Sequence, residues 1–407
     1  MKINRFETLL ASVAFSLALS SSAFAKPPPE VVAESIPLDT CGSTQGCDTT
    51  LEGEYSFQTF QNQLFAGDQN GDGNIKVCLC GVNVTQQATD LAKITIQSNS
   101  THIIGIGDTP SRFVATRPYA NIFFVDRTQE TMLENLELST TGLYSRAINV
   151  SGGGYQRGLR NINVRAAASY SRALSLEGGA RIRTVENLAV HSVGAADYVT
   201  AVDLFSFGEG SPANLIEVIR GLSLATAGGH GKLLSVFGSE IGTVTNAAVT
   251  GASGNIFLLN SKADLLDNVQ IGAGPQIILS LNHSSVGRVR NSTLRGTLGI
   301  QVDQGSQLAV IDNCRLSGLT LYGNSTVGTL NVSEITGPNA IVAVNDSSTL
   351  SVVRNSTIAR SGVGSPVFVT DTSKIHMLYG GVVRNSSRTN HVYGRSLIDE
   401  VRDVRFE

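Results

Sequence analysis

The residues of this chain best suited to chemistry gather in one stretch. His191 is followed by Asp197, Tyr198 and Asp203, and His230 comes one loop later. An imidazole, two carboxylates and a phenol brought into one groove could do general acid–base work on a bound substrate. The competing reading of the same residues is a set of solvated loop side chains. A second cluster is the run Asp68-Gln69-Asn70-Gly71-Asp72-Gly73-Asn74-Ile75. Asp68, Asn70 and Asp72 place side-chain oxygens at alternate positions, and Gly73 follows where a calcium loop makes its sharp turn. The closing position of such a loop is Leu79, where a bidentate Glu is expected. The motif therefore predicts either a structural calcium completed by a distant carboxylate or a Gly-Asp-rich turn, and no other cofactor is implied.

What positions these residues is a repeat. From residue 133 onward the pattern apolar, variable, Asn, two residues, apolar recurs. Its Asn falls at Asn135, Asn161, Asn187, Asn246, Asn268, Asn291, Asn313, Asn355 and Asn385, with Gly221 and Val332 filling two further turns. Two places before it stand branched aliphatics, among them Leu133, Leu159, Val185, Ile219 and Val289. Three places after it come Leu138, Val164, Val190 and further aliphatics to Ile358, and then Arg388, where the inward stripe is expected to end. Each buried aliphatic contributes about 1.5–3 kcal/mol before entropy is charged against it. Stacked at about 4.8 Å, each Asn amide can donate to one neighbour and accept from the other. Asn also tolerates the left-handed backbone of a sharp turn. The position before the Asn alternates in sign through Glu134, Arg160, Glu186 and Arg220, which predicts an outward ladder of ion pairs. Arg354 and Arg384 are the like-charged neighbours of that column. A second strand per coil precedes each motif, as in Ala147-Ile148-Asn149-Val150 and Ala173-Leu174-Ser175-Leu176. Parallel strands with no helical crossover require a coil.

The expected fold is thus all-β: a single-stranded right-handed parallel β-helix of about 11–12 coils, roughly 22–26 residues each, with a disulfide-stapled N-terminal cap. The expected divisions are a signal peptide over 1–25, a linker and cap over 26–90, the β-helix over 91–390 and a cap or tail over 391–407. Lys2 and Arg5, the apolar stretch Leu9 to Leu19 and Ala23-Phe24-Ala25 read as an export leader cleaved after Ala25, too short to span a bilayer. No other segment is long and apolar enough to do so. This predicts a secreted or periplasmic protein. Cysteines agree with an oxidising compartment. Cys78 and Cys80 share one face of a strand, which is poor geometry for a mutual bond, so each is expected to pair with Cys41 or Cys47, in either combination. With 30 basic and 33 acidic residues the net charge is −3, which lacks the basic footprint of a nucleic-acid binder.

The strand Ile103-Ile104-Gly105-Ile106-Gly107, the Asn ladder and the coil length resemble the pectin-lyase-like right-handed β-helix superfamily over residues 90 to 390. That resemblance implies the fold. For activity it implies polysaccharide lyases, polygalacturonases, epimerases, tailspikes or adhesins, and fold alone does not choose. Its polygalacturonase members use Asn-Thr-Asp, paired Asp and Arg-Ile-Lys, and none of these occurs here. Trp is absent and aromatics are 6%, which disfavours a sugar-processing enzyme. The resulting expectation is an exported binding scaffold for carbohydrate or a cell-surface partner. The alternative is a lyase or hydrolase acting on an acidic polysaccharide near His191 to Asp203.

Overall fold

The structure is a computed structural model and describes residues 46–67, 73–97, 100–127, 130–194, 196–206, 211–227, 230–251, 254–272, 277–385, 392–394 and 397–407. The leader 1–25 and Cys41 lie outside them.

The chain is a parallel β-solenoid of about 13 turns. Each central turn contributes one strand to a short sheet and one long strand to a second sheet. Every sheet neighbour is parallel and comes from the adjacent turn, as where Arg181–Ser192 pairs with Tyr155–Ala166 on one side and Leu215–Thr226 on the other. The Asn column sits inside these long strands and divides each into two limbs. Asn135, Asn161, Asn187, Asn246, Asn268, Asn291, Asn313 and Asn355 all have φ between 51° and 56°. Asn161 Nδ2 donates to Asn135 Oδ1 at 2.9 Å, and Asn187 Nδ2 to Asn161 Oδ1 at 2.9 Å. Gly221 has φ 70° and breaks the chain of amides, since a side chain there would lie 2.5 Å from Asn187 Oδ1. The amides resume with Asn268 donating to Asn246 at 2.8 Å, while Asn291 donates instead to Asp267. The ladder is half-buried at Asn135 to Asn187 and exposed from Asn246 onward. The aliphatic columns face inward: Leu159, Val185 and Val289 are 4%, 0% and 0% exposed.

The last turns differ from expectation. Val353 pairs with Leu378 and Arg354 with Tyr379, which puts Gly380 (φ 61°) on the Asn355 rung. Asn385 instead pairs opposite Arg360 within a strand, its Nδ2 directed at Gly364 O. Arg384 leaves the ion column with it and pairs with Glu407 at 2.6 Å. The inward stripe does not end at Arg388, which lies outside the described residues: Val383 takes the position beside Ile358 and is buried. Among the described residues, parallel pairing begins at Thr49–Ser56 on Asn74–Thr85 and runs to Arg405–Phe406 on Val382–Asn385. Coils therefore run through segments expected to be cap and tail, which is why the turns outnumber the Asn motifs.

The first turns are closed by a helix, Phe57–Ala66, begun by a capping box between Ser56 and Thr59. Phe57, Phe60 and Leu64 lie on one helical face and are buried, and Phe60 meets Phe113 edge-on at 5.1 Å. Gln61 completes the open edge of the short sheet: its Nε2 donates to Thr95 O at 2.8 Å and its Oε1 accepts from Thr95 N at 2.5 Å. Cys47 and Cys78 form a disulfide with Cα atoms 5.9 Å apart, and Cys80 is also disulfide-bonded. The free Cys314 is buried where other turns hold Ser292 and Ser333; burial pushes its thiol up to about 11. No helix among the described residues is long and apolar enough to cross a membrane.

The outward ion column is built as alternation requires. His102 Nε2 lies 2.5 Å from Glu134, Arg160 bridges Glu134 and Glu186 at 3.0 and 3.1 Å, and Arg220 reaches Glu186 at 3.1 Å. The hydrogen bond with His102 holds the Glu134 carboxyl below the usual carboxylate range, against the opposing effect of burial.

Candidate functional site

The short sheet carries a groove, and its register explains the groove's composition. Inward positions of successive strands are apolar and buried, among them Leu174, Leu176, Val202, Leu204, Leu234 and Val236. The positions between them align into outward columns. Arg146, Arg172, Thr200 and Lys232 form the first. Asn149, Ser175, Asp203 and Ser235 form the second. Glu177, Phe205 and Phe237 form the third.

An aromatic column borders the first of these. Tyr119, Tyr144, Tyr170, Tyr198 and His230 each stand two residues before an outward residue of their own short-sheet strand. Neighbouring rings are stacked, with centroids 5.2, 4.8, 4.8 and 4.8 Å apart. That spacing is the rise of one coil, about 4.8 Å. All four tyrosines are left-handed, with φ of 58°, 57°, 59° and 55°. A bulky residue there costs about 1–2 kcal/mol, which Asn or Gly would avoid. Stacking returns about 0.5–1.5 kcal/mol per pair, so the column is close to neutral for stability. Stacked rings hide their faces from one another. The column therefore presents ring edges and phenol hydroxyls, and its tyrosines are 43–70% exposed.

Between this wall and Phe205 and Phe237 lies a groove of about 440 Å³, floored by Thr200, Asp203 and Ser235. Asp203, only 6% exposed, pairs with Arg172 Nε at 2.7 Å. Arg146 pairs with Glu177 on the turn before. Lys232 lines the groove with no carboxylate partner among the described residues, its Nζ 5.4 Å from the centroid of the Phe257 ring. Chemically the arrangement offers hydrogen-bond donors and acceptors on the floor, apolar flanks and cations beside them. Such a surface suits a polyhydroxylated ligand.

The structure treats the residues singled out from sequence unevenly. Tyr198, Asp203 and His230 meet in the groove. Asp197 braces the turn beneath them, its Oδ1 accepting from Tyr198 N at 3.0 Å and His230 N at 2.7 Å. His191 is exposed on the second limb of Arg181–Ser192, opposite Arg165 and Ala225, in the other sheet. Asp68, Asn70 and Asp72 lie outside the described residues, and Leu79 is buried in the core. No group of three or more His, Cys, Asp or Glu able to hold a metal occurs among the described residues.

Sequence reasoning missed Tyr119, Tyr144, Tyr170, Arg146, Arg172, Glu177, Phe205, Phe237 and Lys232. A signal was present: Tyr144-Ser145-Arg146-Ala147 and Tyr170-Ser171-Arg172-Ala173 repeat one pattern, and Tyr119-Ala120-Asn121-Ile122 and Tyr198-Val199-Thr200-Ala201 are looser forms of it.

No protein-family model matches the chain, nor does any characterised protein or solved structure.

Proposed function

We propose that this protein is a carbohydrate-binding β-solenoid whose short sheet holds an extended glycan along the solenoid axis. The observation that carries this reading is the stacked column Tyr119–Tyr144–Tyr170–Tyr198–His230, its four tyrosines kept in left-handed backbone beside a charged groove. Four successive tyrosines at positions whose backbone favours Asn or Gly, with no clear net gain in stability from their stacking, argue for a role other than folding. The Cys47–Cys78 disulfide supports an oxidising, extracytoplasmic setting. The test is affinity electrophoresis of the purified chain in gels containing polygalacturonate, alginate or xylan, with and without calcium. Retardation by at least one polymer, lost in Tyr170→Asn, is the expected result; equal migration in all gels overturns the reading.

A second reading, a polysaccharide lyase or hydrolase, draws on Glu177 and Asp203. They are diagonal neighbours on adjacent strands in the groove, each paired with an arginine. Release of unsaturated or reducing ends from those polymers, abolished in Asp203→Asn, would move the assignment from binder to enzyme.

A further inference from the structure

Adjoining the groove, and sharing Arg172, Asp203 and Phe205 with it, lies a smaller polar chamber whose own Ser175 the binding role described so far does not use. Asn149, Ser175 and Asp203 occupy facing positions on three successive strands and are 3%, 3% and 6% exposed. Asp203 is satisfied by Arg172. Among the described residues, Asn149 Oδ1 and Ser175 Oγ have no hydrogen-bond partner. Ser175 lines a cavity of about 240 Å³ shared with Arg146, Arg172, Glu177, Asp203 and Phe205; Asn149 stands beside Ser175 on the preceding strand, just outside that lining.

Unpaired buried oxygens also occur at Thr140 and Ser325, but the fold does not demand them on this column. Ser261, Ser292, Ser333 and Ser356 are comparably buried, and each donates its hydroxyl to a backbone carbonyl at 2.7–3.0 Å. Elsewhere on the same outward column the chain accepts Phe124 and Ala343, so a side chain without polar atoms is compatible with the position. A buried acceptor and hydroxyl left unpaired destabilise the empty protein and strengthen any complex that pairs them. The chamber is covered by the Arg146–Glu177 pair, both of whose side chains reach solvent at 27% and 36% exposure. A part-exposed ion pair of this kind is accessible to water, which can replace each partner as the pair opens.

We infer that the chamber is a subsite for a neutral sugar hydroxyl, which donates to Asn149 Oδ1 and exchanges a hydrogen bond with Ser175 when the Arg146–Glu177 pair swings aside. The inference rests on the groove being a glycan site and adds the chemistry of one subsite to it. A hydroxyl fits both orphans, since it donates and accepts at once. A carboxylate does not fit, since it cannot donate to Asn149 Oδ1 and would approach Asp203 and Glu177.

The experiment titrates wild type, Ser175→Ala, Asn149→Ala and Tyr170→Asn by calorimetry with whichever of polygalacturonate, alginate or xylan wild type binds most tightly, and measures Tm for all four. Ser175→Ala and Asn149→Ala should each bind about tenfold more weakly, one lost hydrogen bond apiece, while the Tm of Ser175→Ala stays level or rises. Unchanged affinity in both variants, with binding still lost in Tyr170→Asn, overturns the subsite and leaves the groove. A lowered Tm with unchanged affinity also overturns it, by making the two side chains structural. Wild type that binds none of the polymers overturns subsite and groove together.

Discussion

Tyr170→Asn separates a wall built for a ligand from a wall built for the fold. Tyr170 stacks between Tyr144 and Tyr198, each centroid 4.8 Å away, at φ 59°. Replacing it removes two stacking contacts at about 0.5–1.5 kcal/mol each, a loss of about 1–3 kcal/mol. Asn accepts left-handed backbone, as the ladder at Asn135 to Asn355 demonstrates, so the strain of about 1–2 kcal/mol is relieved. The two effects largely offset each other, and the net destabilisation should lie between about −1 and +2 kcal/mol. Because solenoids unfold in local units, the measurement is native-state hydrogen exchange across Tyr155–Ala166 and Arg172–Glu177, supported by a urea melt. Glycan retardation in the same preparation should fall at least tenfold, because the hydroxyl row loses one of its two inner members. A loss of local stability above about 3 kcal/mol would refute the cancellation and make the stack a structural spine. Unaltered retardation would refute its place in the groove.

Other outcomes follow from the same structure. Asn161→Ala loses amide bonds to Asn135 and Asn187 and places a Cβ residue at φ 52°, so it should cost about 2–4 kcal/mol, and Asn161→Gly about 1 kcal/mol less; equal losses measured by hydrogen exchange would contradict the backbone argument. Glu134 has a folded-state carboxyl below its unfolded value, so its stabilisation is full above the ordinary carboxylate range and is lost as pH falls through the lowered value; Glu134→Gln should flatten the acid limb of a stability–pH curve, and an unchanged limb would place the acid sensitivity elsewhere. The Cys47–Cys78 bond closes a sequence separation of 31, so the double change to Ser should cost about 3–4 kcal/mol in the first turns, read as local exchange of Thr49–Ser56, with the later coils unaffected. Lys232→Ala should weaken an anionic polymer and leave a neutral one alone, as competition binding with alginate and xylan would report; equal weakening of both would assign Lys232 to packing against Phe257.

The coil was legible because burial imposes a local rhythm. Leu133, Leu159 and Val185 must each turn inward once per rung, and their spacing survives any change in the loops between. The Asn turns and the alternating Glu134–Arg160–Glu186 column were readable for the same reason: each position answers to the rung above and below. Of the candidate site, sequence supplied Tyr198, Asp203 and His230 and misplaced His191, since proximity along the chain does not say which sheet a residue joins. The last rung shows the limit sharply. Val383-Arg384-Asn385 repeats the wording of Val353-Arg354-Asn355, yet pairing seats Leu378-Tyr379-Gly380 there instead.

By itself, then, the sequence determined what every coil must do alike: which side chains enter the core, where the backbone turns left-handed, and that charges alternate along the stack. Only the tertiary structure decided what the coils build together. The tyrosine wall, the Arg172–Asp203 pair and the orphaned Asn149 and Ser175 arise from register between strands separated by loops of unequal length, and register is set by packing across turns rather than by any residue's own preference.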